Sequence, residues 1–209
     1  MATPDTLQSA TVFIIDDDDA VRESLVFLMK SISLQADSFP SAQAFLDIWT
    51  PNLSGCLVLD IRMPGMSGLE LQDKLNNLDS TLPIIFITGH GDVPMAVKAI
   101  KAGAADFVQK PFRDQELIDK IREVLHEDVN ARAAKLQRTE ILQRMETLTE
   151  REREVMEQVI DGKANKVVAI DLEVSQRTVE IHRANVMEKM KVRSLAQLVR
   201  SVMTARKET

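Results

Sequence analysis

Two hydrophobic patterns divide this chain. Over roughly its first 120 residues, short unbroken apolar runs alternate with stretches of helical spacing. Residues 11–15 (Thr-Val-Phe-Ile-Ile), 56–59 (Cys-Leu-Val-Leu) and 83–88 (Pro-Ile-Ile-Phe-Ile-Thr) read as strands buried on both faces. Residues 34–39 form a weaker strand and residues 106–109 a fifth. A helix is predicted over 20–31, with Val21, Leu25, Leu28 and Ile32 in phase and Asp19 as its cap. Further helices are predicted over 41–49 with Ala44, Phe45 and Ile48 inward, and over 68–77 with Leu69, Leu71 and Leu75. Asp92-Val93-Pro94 starts another that Gly103 ends, and Arg113 begins a fifth. Five β-then-α units in series predict an α/β fold, a five-stranded doubly wound parallel sheet with helices on both faces and right-handed connections.

Past residue 112 the pattern changes. Residues 112–147 contain no glycine, and Leu117, Ile121, Val124, Leu125, Val129, Ala133, Leu136, Ile141, Leu142 and Met145 recur among charges. This predicts one long helix or two in series, serving as a solvent-bridging connector or as a helix–helix seam. After Leu148 no strand pattern remains. Thr149 and Glu152 have capping-box spacing, opening a helix that Gly162 ends, with Val155, Met156 and Val159 inward. A short helix at 166–172 carries Val167, Ala169 and Ile170; Glu173-Val174 turns; Ser175 caps a third helix over 176–190; Ser194 caps a fourth to about Thr204. The predicted domains are residues 1–125, a helical linker at 126–146, and an all-α four-helix domain at 147–209.

The chain's 209 residues and 44% apolar content allow two cores of ordinary kind. No apolar run approaches the ~18 residues of a membrane span. The start is polar, without a secretory pattern. The single cysteine, Cys56, sits in a predicted strand and reads as a small buried hydrophobe, so a cytoplasmic setting and no membrane association are expected. The net charge of -6 would argue against nucleic acid. Its distribution does not: residues 1–147 carry a net of -8, residues 148–209 a net of +2, and residues 176–207 a net of +6. Such asymmetry fits an acidic domain joined to one that meets a polyanion.

The chemistry stands at the strand ends. The first strand ends in Asp16 and Asp17, the third in Asp60, the fourth in Thr88 and the fifth in Lys110. In a parallel sheet these ends share one edge, where ligands bind. Three carboxylates together repel unless a cation joins them, and hard oxygen donors without His or Cys favour Mg²⁺. A hydroxyl and an ammonium opposite can hold phosphoryl oxygens, and a carboxylate can attack phosphorus to form an acyl phosphate. Asp60, surrounded by the others, is the natural nucleophile.

Asp16-Asp17, Leu57-Val58-Leu59-Asp60 with Met63-Pro64-Gly65-Met66-Ser67-Gly68, Ile87-Thr88-Gly89-His90 and Lys110-Pro111-Phe112 together resemble the receiver domain of two-component response regulators, over residues 11–125. The resemblance implies a flavodoxin-like fold in which Asp60 accepts a phosphoryl group from a sensor histidine kinase. It implies that Asp16, Asp17, Asp60 and the backbone carbonyl of Arg62 hold Mg²⁺. Thr88 and Lys110 would contact the phosphoryl oxygens, and the Lys110–Pro111 bond would be cis. Phe107 would turn inward, remodelling residues 93–112 for a partner. The Arg62 side chain either gates the pocket or is simply solvated.

In the back half, a short helix, a turn and a second capped helix form a helix-turn-helix pattern, about Val167 to Val186. The third helix is predicted to turn Gln176, Arg177, Glu180, Arg183, Ala184 and Asn185 outward, and Val179, Val186, Met187 and Met190 inward. Lys189, Lys191 and Arg193 would meet phosphates, while Arg, Asn and Glu180 can pair with base edges. His182 is either a phosphate donor or a packing residue. Leu148 to Glu152, residues 162–166 and residues 175–187 resemble the LuxR-type DNA-binding domain, over residues 147–203. The resemblance places Lys166, Gln176, Arg177, Thr178, Glu180, His182, Arg183, Ala184 and Lys189 at promoter DNA.

With both domains present, the chain resembles the FixJ/NarL class. This implies a phosphorylation-switched regulator that homodimerises through its last helix, works with RNA polymerase and activates a catabolic operon. Two alternatives stand beside it. An aspartate-nucleophile phosphohydrolase would want an acid two residues past the nucleophile, where Arg62 stands. An adaptor that binds no DNA fits poorly with the basic residues 176–207.

Overall fold

The computed structural model describes residues 10–89 and 93–206, so His90 and Asp92 of the expectations above lie outside the described residues. The chain divides into two compact units, the division falling between Ala131 and Arg132. In the first, β1 (Thr11–Ile15), β2 (Gln35–Phe39), β3 (Gly55–Asp60), β4 (Ile84–Thr88) and β5 (Asp106–Gln109) form one parallel sheet in the order β2-β1-β3-β4-β5. That order reverses direction between β1 and β3, so a crevice opens beside the C-terminal ends of these two strands, which are Ile15 and Asp60.

Alternate side chains serve opposite faces. Val12, Ile14, Val58, Ile85, Ile87 and Val108 pack with α1 (Asp19–Ser31) and the first part of α5 (Asp114–Glu146), through Leu25, Met29, Leu117, Ile121 and Leu125. Phe13, Ile15, Leu57, Leu59, Ile84 and Phe86 pack with α2 (Ala42–Leu46), α3 (Gly68–Asn77) and α4 (Val93–Lys101), through Phe45, Leu71, Leu75 and Ala99. Central β3 and β4 are buried at every position, as expected for strands covered on both faces, whereas β2 is an edge strand with no fully buried residue.

Several local expectations change. Asp18, not Asp19, caps α1: its carboxylate accepts from the amides of Ala20 and Val21, and Asp19 is already helical. The second helix stops at Leu46, leaving Ile48 45% exposed, and Ala42 joins Phe45 inside. Residues 114–146 are one helix of 33 residues. Its Leu117, Ile121, Val124 and Leu125 are buried in the first unit and Ile141 in the second, while Ala133 and Leu136 between them are exposed.

The second unit packs α6 (Glu150–Ile160), α7 (Asn165–Asp171), α8 (Gln176–Lys189) and α9 (Leu195–Arg206) around Val155, Met156, Val168, Val179, Val186, Leu198 and Val202. Met145 also packs on this core, and Arg138 Nε donates to the carbonyl of Ala205 at 3.1 Å. On α7, Val168 and Ala169 are inward, and Val167 and Ile170 are exposed.

Gly68 sets the distance between α3 and the end of β3. A Cβ there would stand 2.3 Å from the backbone oxygen of Asp60 and 3.0 Å from the Phe86 ring. Ser67 and Glu70 form a capping box at this helix start, and the Gly68 amide donates to the Ile61 carbonyl at 3.0 Å. Gly68→Ala must push α3 from the sheet. It is expected to lower unfolding stability by ~1–3 kcal/mol, measured by urea denaturation of the full chain.

Candidate functional site

Four of the five strands, all but edge strand β2, deliver one group each to the sheet's C-terminal edge. Asp16 follows β1 and is 2% exposed; Asp60 ends β3 and is 8% exposed; Thr88 ends β4 and is buried; Lys110 follows β5. Lys110 Nζ donates to Asp16 Oδ2 at 2.9 Å and to Asp60 Oδ1 at 3.3 Å. The second oxygen of each carboxylate is also held, Asp16 Oδ1 by the amide of Asp18 at 2.9 Å and Asp60 Oδ2 by the amide of Arg62 at 3.0 Å. Arg22 Nη1 donates to the Asp16 carbonyl at 2.7 Å, fixing the turn after β1. The Lys110 amide donates to the Thr88 carbonyl at 2.7 Å, and the Lys110–Pro111 peptide is cis. Phe107, opposite Phe86 in the β4–β5 register, is half-buried.

Burial pushes the Asp60 carboxyl above the ordinary carboxylate range; the Asp16 charge adds to this and the Lys110 ammonium opposes it. Burial works against the Lys110 ammonium, yet its hydrogen bond to Asp16 and the charges of Asp60 and Asp16 hold it above the usual lysine value. The lysine therefore acts as a fixed cation between two acids.

The predicted carboxylate trio is only partly assembled. Asp16 and Asp60 share Lys110, whereas Asp17 is exposed. Among the described residues, no group of three or more His, Cys, Asp or Glu side chains stands close enough to hold a metal ion. The two carboxylates that accept from Lys110 are nonetheless hard oxygen donors on a buried edge, which fits a hard cation in chemistry.

The helical unit uses its basic residues differently from the sequence expectation. Ser175 caps α8, with its hydroxyl accepting from the Thr178 amide at 3.0 Å and lying 2.8 Å from the Thr178 hydroxyl. Gln176, Arg177, Glu180 and Ala184 are exposed as expected, and so is Lys166 on α7. Arg183 is half-buried: its guanidinium donates to Asn165 Oδ1, joining the two helices of the helix-turn-helix. Asn185 is likewise half-buried, as is His182, whose buried Nδ1 has no hydrogen-bond partner among the described residues. Lys189 turns back to Glu152 at 2.5 Å and to the Thr147 carbonyl at 3.2 Å. Sequence reasoning passed over Ile181, which is 50% exposed on α8. Its position four residues after Arg177 was the available signal.

Residues 12–122 match the family described as the response regulator receiver domain, and residues 146–202 match the luxR family of bacterial regulatory proteins. The chain belongs to the response regulators that join a receiver domain to a LuxR-type DNA-binding domain. It is 50% identical over 198 residues to the transcriptional regulatory protein FixJ of Azorhizobium caulinodans, covering 95% of this chain and 94% of that protein. It is 47% identical over 193 residues to the response regulator protein TodT of Pseudomonas putida, covering 92% and 85%. Among solved structures, the response regulator StyR aligns with a TM-score of 0.84 and 45% identity over 93% of this chain and 98% of that one.

Glu152 supplies a measurable signature of the helical unit. It is 3% exposed, and burial pushes its carboxyl up, but hydrogen bonds from Lys189, the Thr149 amide and the Thr149 hydroxyl outweigh this and hold it down to about 2. A carboxyl whose folded pKa is depressed contributes stability above its unfolded value, and that contribution is lost as pH falls through the folded value. The window here runs downward from the ordinary 4.5 to about 2. Acid melts of the full chain should therefore show Glu152→Gln destabilised at neutral pH, with the gap to wild type narrowing across that window.

Proposed function

We propose that this response regulator takes a phosphoryl group on Asp60 from a sensor histidine kinase and, in the phosphorylated form, binds promoter DNA through its helical unit. The observation that carries the first part is the Lys110 ammonium held between Asp16 and Asp60 at a parallel sheet's C-terminal edge. An Asp60 oxygen attacks the phosphorus of a phosphohistidine; the phosphorus–nitrogen bond breaks, and the imidazole leaves with its electron pair. Asp16, Asp17, Asp60 and the Arg62 carbonyl would hold Mg²⁺, which when bound offsets charge on the transferring group. Lys110 holds one phosphoryl oxygen, and the Thr88 hydroxyl a second. Thr88 and Phe107 then report the occupied site by moving toward it, and residues 93–112 carry the change onward. Beyond taking up and releasing its own phosphoryl group, the chain turns over no substrate.

In this reading residues 1–125 receive the signal, residues 126–146 carry it and residues 147–209 read DNA. The chain works in the cytoplasm, pairs with a second copy when phosphorylated or on DNA, and with RNA polymerase activates a catabolic operon. No helix among the described residues is long and apolar enough to cross a membrane. Exposed Lys166, Gln176, Arg177, Glu180 and Ala184 are the α8-side contacts supported by their accessibility. Thr178, His182, Arg183 and Lys189 stay in the set as residues that orient α8 at the DNA, since all four are half-buried on that helix and Lys189 anchors its end.

Incubation of the full chain with Mg²⁺ and a radiolabelled small phosphodonor tests the chemistry. The expected product is a hydroxylamine-labile label that is absent in Asp60→Asn. A label retained in that variant contradicts the assignment, and sustained phosphate release from small phosphate esters would favour the phosphohydrolase. Arg183→Ala, which removes the link to Asn165, is expected to weaken operator binding by about tenfold and to lower the melting temperature; a hydrogen bond to a charged group of ~1.5–3 kcal/mol sets that scale. Gel-shift titration and thermal melts measure both.

A further inference from the structure

Four consecutive carboxylates, Asp16 to Asp19, follow β1, and like charges this close repel unless they are bonded. Three of them are. Asp16 accepts from Lys110 and from the Asp18 amide, Asp18 caps α1, and Asp19 pairs with Arg22. Asp17 is exposed and makes no such bond among the described residues.

Arg22 does more than neutralise Asp19. Its side chain is only 12% exposed, whereas that of Asp19 is 83% exposed. A pair with so solvated a carboxylate does not account for burying a guanidinium. Its other bond does: Nη1 donates to the Asp16 carbonyl at 2.7 Å. That carbonyl belongs to the planar peptide joining Asp16 to Asp17. Holding it fixes the plane, and the plane sets the direction in which the Asp17 side chain leaves the backbone. Only the side-chain torsions of Asp17 then remain to turn its carboxylate from solvent toward a cation.

We propose that Arg22 is a positioning residue for phosphoryl transfer: through the Asp16–Asp17 peptide it holds Asp17 ready to join Asp16 in binding Mg²⁺. The inference rests on the Asp60 reading above. Charge alone would work the other way, because a guanidinium beside a cation site repels the cation. Geometry has to outweigh charge here, and this fixes the sign of the test.

Mg²⁺ alone is titrated into the unphosphorylated full chain by calorimetry. Arg22→Ala is expected to bind it about tenfold more weakly, the scale of one hydrogen bond from a charged group, although a cation has been removed. Arg22→Lys keeps the charge but lacks the rigid fork that serves the carbonyl and Asp19 together, and should fall between the two. In an Asp17→Asn background the added cost of Arg22→Ala should be less than about twofold, because Arg22 acts through Asp17. With a small phosphodonor, labelling of Arg22→Ala should reach the wild-type plateau at a raised Mg²⁺ midpoint, since Asp60 and Lys110 are intact.

Unchanged or tighter Mg²⁺ binding in Arg22→Ala overturns the proposal. An undiminished cost in the Asp17→Asn background overturns it too, as does a plateau that stays low at saturating Mg²⁺. Should Arg22→Ala melt below the assay temperature, Arg22→Lys carries the same comparison. Wild type that binds no Mg²⁺, or takes no label, would instead overturn the Asp60 reading and this inference with it.

Discussion

Two buried acids sharing one ammonium are the constraint on which the receiver unit depends. Asp16 and Asp60 lie 94 and 50 residues from Lys110 in the chain, yet both accept from its Nζ. Buried charge is costly unless paired, so this edge is held together by the groups that would do the chemistry. The surrounding architecture serves the same end. Strands β1 and β3 are adjacent and in parallel register, which sets their carboxylates side by side. Gly68 lets α3 start against the Asp60 backbone, and the Arg62 amide fixes the second oxygen of Asp60. A carboxylate held from four directions would need little reorganisation in the proposed phosphoryl transfer.

The helical unit solves a comparable problem with the opposite allocation of charge. Its basic side chains are not all directed outward. Lys189 neutralises a nearly buried Glu152, which closes the capping box at the start of α6, and Arg183 ties α8 to α7 through Asn165. These bonds hold the helix-turn-helix geometry. They leave the outward face of α8 to Gln176, Arg177, Glu180, Ile181 and Ala184, a set suited to reading base edges more than to neutralising phosphates.

Much of this was legible in the sequence, because local pattern governs it. Unbroken apolar runs located the buried strands, the ends of β1, β3 and β5 led to the residues that meet at Lys110, and α3 was bounded correctly from Gly68 to Asn77. Capping residues also located α6 and α8. What pattern could not reach were choices made by distant partners. Asp18 and Asp19 are chemically identical neighbours, and only backbone geometry decides which caps α1. Arg183 and Lys189 occupy helix positions that look solvent-directed until Asn165 and Glu152 are folded against them. Ile181 had no placement in the sequence pattern, and the burial of Val179 and Val186 shows which stripe α8 turns inward. The three-carboxylate cluster was half legible: strand topology joins Asp16 to Asp60, but the backbone after β1 leaves Asp17 in solvent.

In the proposed function the acid pair around Lys110 governs DNA binding by the helical unit. The most direct measurement is the affinity of the full chain for a selected operator duplex, followed by fluorescence anisotropy with Mg²⁺ and increasing phosphodonor. Affinity is expected to rise with phosphodonor in wild type and to stay flat in Asp60→Asn. Equal affinity in wild type with and without phosphodonor, or an equal rise in Asp60→Asn, would contradict it.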